Sequence, residues 1–335
     1  MDVGMIIEWI IKSIFLILFM TAGFAYVTLL ERRVLARMQV RIGPNRVGKF
    51  GLLQPIADAV KLISKEELIP AGADRLMFVL APVITVIPAL IITGVIPWGT
   101  SVNLFGREIA LSIANVNIGV LYIMAVTSIS VYGITLAGWS SNNKYAMFGG
   151  LRSTAQMISY ELALGLSLVG PILLAGSMNV MDIVQAQKTL PFVLLQPAGF
   201  IIYFMASLAE INRAPFDMPE AEQELTAGYH TEYSSMKFAL FFMAEYIKMI
   251  AVGMIGSTMF LGGFQGPFVD QLPWLGPIYL LIKVFIWLFV DIWIRATLPR
   301  IRYDKLMALG WKVMYPIALL NVFVTGILVV LTTKR

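Results

Sequence analysis

The sequence contains no cysteine and a single histidine, His230. The first absence excludes disulfides, thiolate metal sites, protein-ligated Fe–S clusters and a thiol nucleophile. The second excludes a bis-histidine haem and any His-rich metal centre. No Gly-rich nucleotide fingerprint follows a strand pattern, and no P-loop occurs. Any flavin, Fe–S cluster or nucleotide must therefore reside on a partner. Charge is scarce too: 13% of the 335 residues are Asp, Glu, Lys or Arg, against about 25% in soluble domains.

What is present instead is apolar sequence. Hydrophobic residues make up 59% of the chain and mean hydropathy is +0.81. The fold class expected is all-α: a polytopic membrane helix bundle forming a single transmembrane domain over 1–335. A helix needs about 20 apolar residues to cross the hydrocarbon core. Eight runs qualify, at 6–30, 76–96, 118–137, 159–176, 192–209, 238–260, 274–294 and 313–331. The first is too long for a signal-peptide core and lacks a basic leader, so it reads as a span.

The bases fix an expected orientation. Arg32, Arg33, Arg37, Arg41, Arg46, Lys49, Lys61, Lys65 and Arg75 fall in the first connector; Lys144 and Arg152 in the third; Arg213 in the fifth; Arg300, Arg302, Lys305 and Lys312 in the seventh. The even connectors hold only Arg107 and Lys188. The positive-inside rule then places the odd connectors in the cytoplasm and both termini outside, with Lys334 and Arg335 as a small contrary signal.

The first connector, 31–75, repeats bases at Arg33, Arg37 and Arg41 on one helical face and carries Val34, Leu35 and Met38 on another. It reads as an amphipathic interfacial helix broken at Gly43-Pro44, followed by a second helix over 52–64. Headgroup binding alone would explain such bases; the alternative is a docking surface for a soluble partner, or the rim of a pocket.

The fifth connector, 210–237, is the densest polar stretch: Glu210, Asp217, Glu220, Glu222, Glu224 and Glu232 accompany Arg213 and His230. A solvated loop is the plain reading. Crowded carboxylates also raise one another's proton affinity, which suits proton handling at a membrane surface. Glu161 falls at the start of the predicted fourth span, where a helix dipole would favour it. Glu245 does not share that explanation: it lies inside the sixth span, three residues before Lys248. Lys283 and Asp291 pose the same question in the seventh, which Arg295 ends as a snorkelling arginine or something more.

Several long motifs occur in order: Glu31-Arg-Arg33, Arg41-Ile-Gly-Pro-Asn-Arg-Val-Gly48, Gly51-Leu-Leu-Gln-Pro-Ile-Ala-Asp58, Ala137-Gly-Trp-Ser-Ser-Asn-Asn-Lys-Tyr145, Ser159-Tyr-Glu161, Asn212-Arg-Ala-Pro-Phe-Asp217, Pro219-Glu-Ala-Glu-Gln-Glu-Leu225 and Ile294-Arg-Ala-Thr-Leu-Pro-Arg-Ile-Arg-Tyr-Asp304. Over nearly its whole length the chain resembles the family of H-type membrane subunits of NADH:quinone oxidoreductase, respiratory complex I, whose mitochondrial counterpart is NADH dehydrogenase subunit one. Ile211 and Met218 stand where many members carry Thr and Leu, and neither removes a titratable group.

The resemblance implies a membrane-arm subunit of a proton-translocating enzyme, with no complete active site in this chain alone. It implies quinone as a substrate bound at the interface with neighbouring subunits. It also implies partners among the other membrane-arm and Fe–S-bearing peripheral-arm subunits and membrane lipid, and no nucleic acid. By family pattern, Glu31, Arg32, Arg41, Arg295 and Arg300 would line the quinone passage. Asp58, Glu161, Glu210, Asp217, Glu220, Glu222, Glu224 and Glu245 would couple quinone chemistry to proton movement. The central helices would resemble half of an antiporter. A bacterial inner membrane is the expected location. Judged from the residues alone, a stand-alone proton-coupled transporter and a purely structural membrane anchor stay open.

Overall fold

The computed structural model describes residues 3–104, 107–218 and 228–333. Glu220, Glu222 and Glu224 lie outside the described residues. Among the described residues, seven helices are long and apolar enough to cross a membrane, and Pro197–Glu210 is a shorter apolar helix beside them.

Helix α1, Val3–Met38, has 36 residues and so extends about 54 Å at 1.5 Å per residue. That exceeds the roughly 30 Å hydrocarbon thickness. Arg33 and Arg37 therefore belong to an extension of the first span, not to a separate interfacial helix. The strong helix formers Leu30, Glu31, Arg33, Leu35 and Ala36 give the helix no reason to stop where hydropathy does. The second amphipathic helix exists as α2, Gln54–Ser64. Its apolar residues Ile56, Val60 and Ile63 are all exposed.

Helix α3, Arg75–Ile92, starts at Asp74, whose carboxylate accepts from Leu76 N and Met77 N at 3.1 and 3.3 Å. A short antiparallel hairpin follows, β1 Ser101–Leu104 paired with β2 Arg107–Ala110. The apolar count had no means of showing it. Helix α4, Gly119–Ser140, packs tightly on α3 because Gly133 has no side chain. A Cβ there would sit 2.1 Å from Thr85 Oγ1.

Helix α5, Lys144–Ala175, begins well before the expected fourth span. Asn143 caps it, accepting from Tyr145 N at 2.9 Å. Glu161 is thus mid-helix, and the helix-dipole explanation for it fails. Polar residues between 150 and 160 hid this helix from a hydropathy reading. They do not break it because Thr154 and Ser159 donate to the carbonyls one turn back, Gly150 O at 2.8 Å and Ala155 O at 2.6 Å.

After the short α6, Val180–Ala186, the apolar run 192–209 is divided. It forms α7, Phe192–Leu195, and α8, Pro197–Glu210, separated at Gln196 with φ −135° and ψ 59°. Pro197 drives the break, since the residue before proline is pushed out of helical geometry. Buried Gln196 is held by donating to Thr325 Oγ1 at 2.6 Å.

Helix α9, Ser235–Phe260, is the central rod: 67% of its apolar 18-residue stretch is buried, against 22% for that of the first span and 17% for that of the last. Helix α10, Leu275–Thr297, lies against it. The last span joins α11, Tyr303–Leu309, to α12, Tyr315–Thr333, through a π turn at Gly310–Met314. The first connector is tied to the start of α9 by Ser235 Oγ donating to Leu62 O at 2.9 Å and by Lys237 on Glu67 at 2.5 Å.

Candidate functional site

Arg213 organises the interior. It sits in the connector after α8, is 5% exposed, and reaches two helices far away in sequence. Its Nε donates to Glu245 Oε1 on α9 at 2.5 Å, and its Nη1 donates to Glu31 Oε2 on α1 at 2.6 Å. Its guanidinium carbon lies 4.1 Å from the Tyr246 ring centre. Arg295 on α10 donates to the other oxygen of Glu31. Burial works against a charged guanidinium, yet Glu245 and then Glu31 more than offset it and push the Arg213 pKa well above its ordinary value. Two arginines and two carboxylates sum to zero, which is how the bundle tolerates them.

Three helices and a connector meet here because each supplies one long charged side chain at its end or middle. Gln156 on α5 fixes the connector's path: its Nε2 donates to Ala209 O at 2.7 Å and Phe216 O at 2.8 Å. Asn212 turns with φ 58° between them.

A second group lies deeper. Glu210 is 5% exposed at the end of α8, and Lys248 on α9 is 6% exposed. Glu210, Glu161 and Glu245 all act electrostatically on Lys248. A carboxylate at a helix C-terminus opposes the dipole, so Lys248 supplies the compensation for Glu210. Glu245, Glu210 and Lys248 line a cavity of about 30 Å³ together with Asn212 and Tyr229. That is room for one or two waters. Glu161, half-buried on α5, accepts from Ser128 Oγ on α4. Glu245 pairs with Arg213, and Lys248 faces the group around Glu210.

Nearer the first connector, Arg32 Nη1 binds Asp58 Oδ2 at 2.6 Å, and Gln54 donates to Asp58 Oδ1 at 3.1 Å. This locks α2 against the end of α1. A large open cavity of about 1030 Å³ lies beside that end, lined by Arg33, Arg37, Arg41, Ile42, Phe50 and Phe289 among others. Arg41 also donates to Gln39 Oε1 at 2.8 Å. Arg295 turns inward to Glu31 and does not snorkel. Arg300 donates to Met218 Sδ at 3.6 Å, and Asp217 is half-buried in the same connector.

The structure therefore gathers Glu31, Arg295, Glu245, Glu210 and Glu161 into one interior series and leaves Asp58 joined through Arg32, the neighbour of Glu31. Arg41 alone of the expected passage residues lines the large cavity. Three contributors were not singled out from sequence: Gln156, Ser128 and the hub role of Arg213. Only Arg213 had a signal, as the lone base among acids.

His230 packs edge-on to Tyr229 at 5.0 Å and beside Phe238 at 5.5 Å. Burial lowers its pKa to about 4. Near neutral pH it carries no charge. Lys283 donates to three carbonyls, Leu261, Gly263 and Gln265, at 2.7, 2.7 and 2.8 Å. It makes no pair with Asp291.

These features define an integral membrane protein whose helices carry a partnered series of arginines, lysine and carboxylates through an otherwise apolar interior. Residues 11–326 match the family model described as NADH dehydrogenase, and the chain belongs to that family. It is 53% identical over 302 residues to the second NADH-quinone oxidoreductase H subunit of Syntrophobacter fumaroxidans, covering 90% of each chain. It is 53% identical over 313 residues to the NADH-quinone oxidoreductase H subunit of Thermomicrobium roseum, again covering 90% of each. The second such H subunit of Geobacter metallireducens is 50% identical over 335 residues and 96% of each chain. The resemblance read from the motifs is borne out.

Proposed function

We propose that this chain is the membrane-arm subunit of a proton-translocating NADH:quinone oxidoreductase, framing quinone access and coupling quinone reduction to proton movement. The observation that carries the reading is the continuous bridge Arg295–Glu31–Arg213–Glu245. It begins on α10, whose Phe289 lines the large cavity, and ends at the small cavity shared with Glu210 and Lys248. Quinone enters by the large cavity past Arg41 and continues past Arg32, Arg300, Arg295 and Glu31, which do not line that cavity. The proton-coupling set is Asp58, Glu161, Glu210, Asp217, Glu220, Glu222, Glu224 and Glu245. Asp58 joins through Arg32.

Reduction of quinone creates negative charge and draws protons. Unit charges ~4 Å apart interact by about 4 kcal/mol at an effective dielectric of 20. One pKa unit is about 1.4 kcal/mol. A charge change at one end therefore shifts proton occupancy at the next carboxylate, and the shift passes along the series without direct contact. The chain itself supplies no electron carrier; the Fe–S cluster that reduces quinone belongs to a peripheral-arm partner. The exposed Ile56, Val60 and Ile63 of the first connector face that partner or lipid headgroups. The membrane is a bacterial inner membrane, with the 31–75 and 210–237 connectors on the cytoplasmic side and both termini outside.

The deciding experiment is Glu245→Gln in the assembled complex reconstituted into vesicles. Proton uptake and NADH:quinone turnover should fall together by about tenfold or more, a loss of roughly 1.4 kcal/mol or more in coupling. Normal pumping per electron pair would make Glu245 a structural ion-pair partner only. A stand-alone transporter is favoured by one feature, the broken helix at Gln196, since transporters bind substrates at such breaks. Here, however, Gln196 is bonded to Thr325 and Asn321. The break is internally satisfied.

A further inference from the structure

Asp291, on α10, is 4% exposed, and neither of its carboxylate oxygens has a hydrogen-bond partner among the described residues. One turn earlier, Trp287 Nε1 is also buried and unpartnered. Residues four apart share a helix face. A donor and an acceptor pair are therefore both left open on one side of α10.

The charged groups around Asp291 are all committed elsewhere. Arg213 is the cation that acts on it across the interior, and both of that guanidinium's carboxylates are Glu31 and Glu245. Arg295, one turn on, is bound to Glu31. The Tyr203 hydroxyl, within electrostatic reach, donates to Val252 O at 2.9 Å. Lys283 is enclosed by its three carbonyls. An ionised carboxylate without a donor is the costliest occupant of an apolar interior. The neutral acid removes the charge and supplies an O–H donor of its own.

We propose that Asp291 is a proton-holding group of the coupling series, set to one side of it and linked through Arg213. In the resting bundle it carries a proton. When a proton reaches Glu245 from the small cavity that it lines, Arg213 loses one of its two anionic partners. The Asp291 O–H bond then breaks, its proton passes to water, and the carboxylate left behind replaces the negative charge lost at Glu245. One proton enters and one leaves, and the interior charge is unchanged. The inference rests on the proton-coupling reading above and adds a residue to it.

The test uses Asp291→Asn, Asp291→Glu and Glu245→Gln in the intact complex. Asn is an isostere of the neutral acid, so that variant must assemble with its redox partners. Its quinone-linked proton uptake should fall severalfold, the Glu variant should recover most of it, and a protonated-carboxyl band should vanish from the infrared difference spectrum induced by quinone reduction. A structural role alone predicts an Asn enzyme indistinguishable from the parent. That result overturns the proposal, as does an Asn variant that fails to assemble. If Asp291→Asn is normal while Glu245→Gln is impaired, only the role of Asp291 falls. If both are normal, the coupling reading falls with it.

Discussion

Two regions of this bundle bury positive charge, and they do it by different means. Around Arg213 the counter-charges are the carboxylates of Glu31 and Glu245. Around Lys283 they are the carbonyl oxygens of Leu261, Gly263 and Gln265. Carboxylates gain and lose protons; carbonyl dipoles do not. The first arrangement is therefore able to change state when a proton or an electron arrives nearby, whereas the second offers no titratable partner. Charge burial by itself marks neither function nor structure. The chemistry of the partner decides.

The largest effect that would break this distinction is at Arg213. Arg213→Met leaves Glu245 without its cation and Glu31 with Arg295 alone. Removing one partner of a buried ion pair costs about 3–5 kcal/mol. The expected outcome is loss of assembled complex, read as recovery of this chain with its redox partners in mild detergent. Arg213→Lys should assemble poorly as well, because a single ammonium lacks the fork that reaches Glu31 and Glu245 along separate N–H directions. Full recovery of the Met variant would mean the carboxylates are already neutral at rest.

Lys283 is the sharper control. Lys283→Met orphans three carbonyls, and each buried polar group left unmade costs about 1–3 kcal/mol, less where water re-enters. The melting temperature should drop by several degrees, while protons pumped per electron pair stay at the parent value. A changed pumping ratio would place Lys283 in the coupling series and erase the contrast between the two sites.

The part of this contrast visible in the sequence was the inventory. Apolar runs and long motifs were enough to place most spans, and Glu245 was conspicuous as an acid inside one. The pairing was not visible. Glu31 and Arg213 are separated by 182 positions, and Arg295 and Glu31 by 264. Periodicity reports which residues share a face of one helix, never which faces meet. The three-residue spacing of Glu245 and Lys248 therefore could not show that Glu245 pairs with Arg213 on another segment. Glu161 was misplaced for a related reason: the hydroxyls and amide preceding it look like a connector to a hydropathy count, yet Thr154 and Ser159 donate inside α5 and Gln156 Nε2 donates to the connector after α8.

A third way to bury a titratable group is to keep it uncharged, and His230 shows it. Its pKa is lowered to about 4 by burial, from an ordinary 6.5. Well above 6.5 neither the folded nor the unfolded histidine holds a proton, and the group has no effect on stability. Between 6.5 and 4 the unfolded chain binds a proton that the folded one refuses, so stability falls as the pH is lowered through that window. The loss is no more than about 2 kcal/mol once partial exposure is discounted. His230→Asn should flatten the dependence of the melting temperature on pH between about 6.5 and 5 and leave the pumping ratio alone. If instead the Asn variant altered the pumping ratio, the ring would belong with the ionisable partners of Arg213, and neutrality at rest would be a state of the machinery and not a property of the packing.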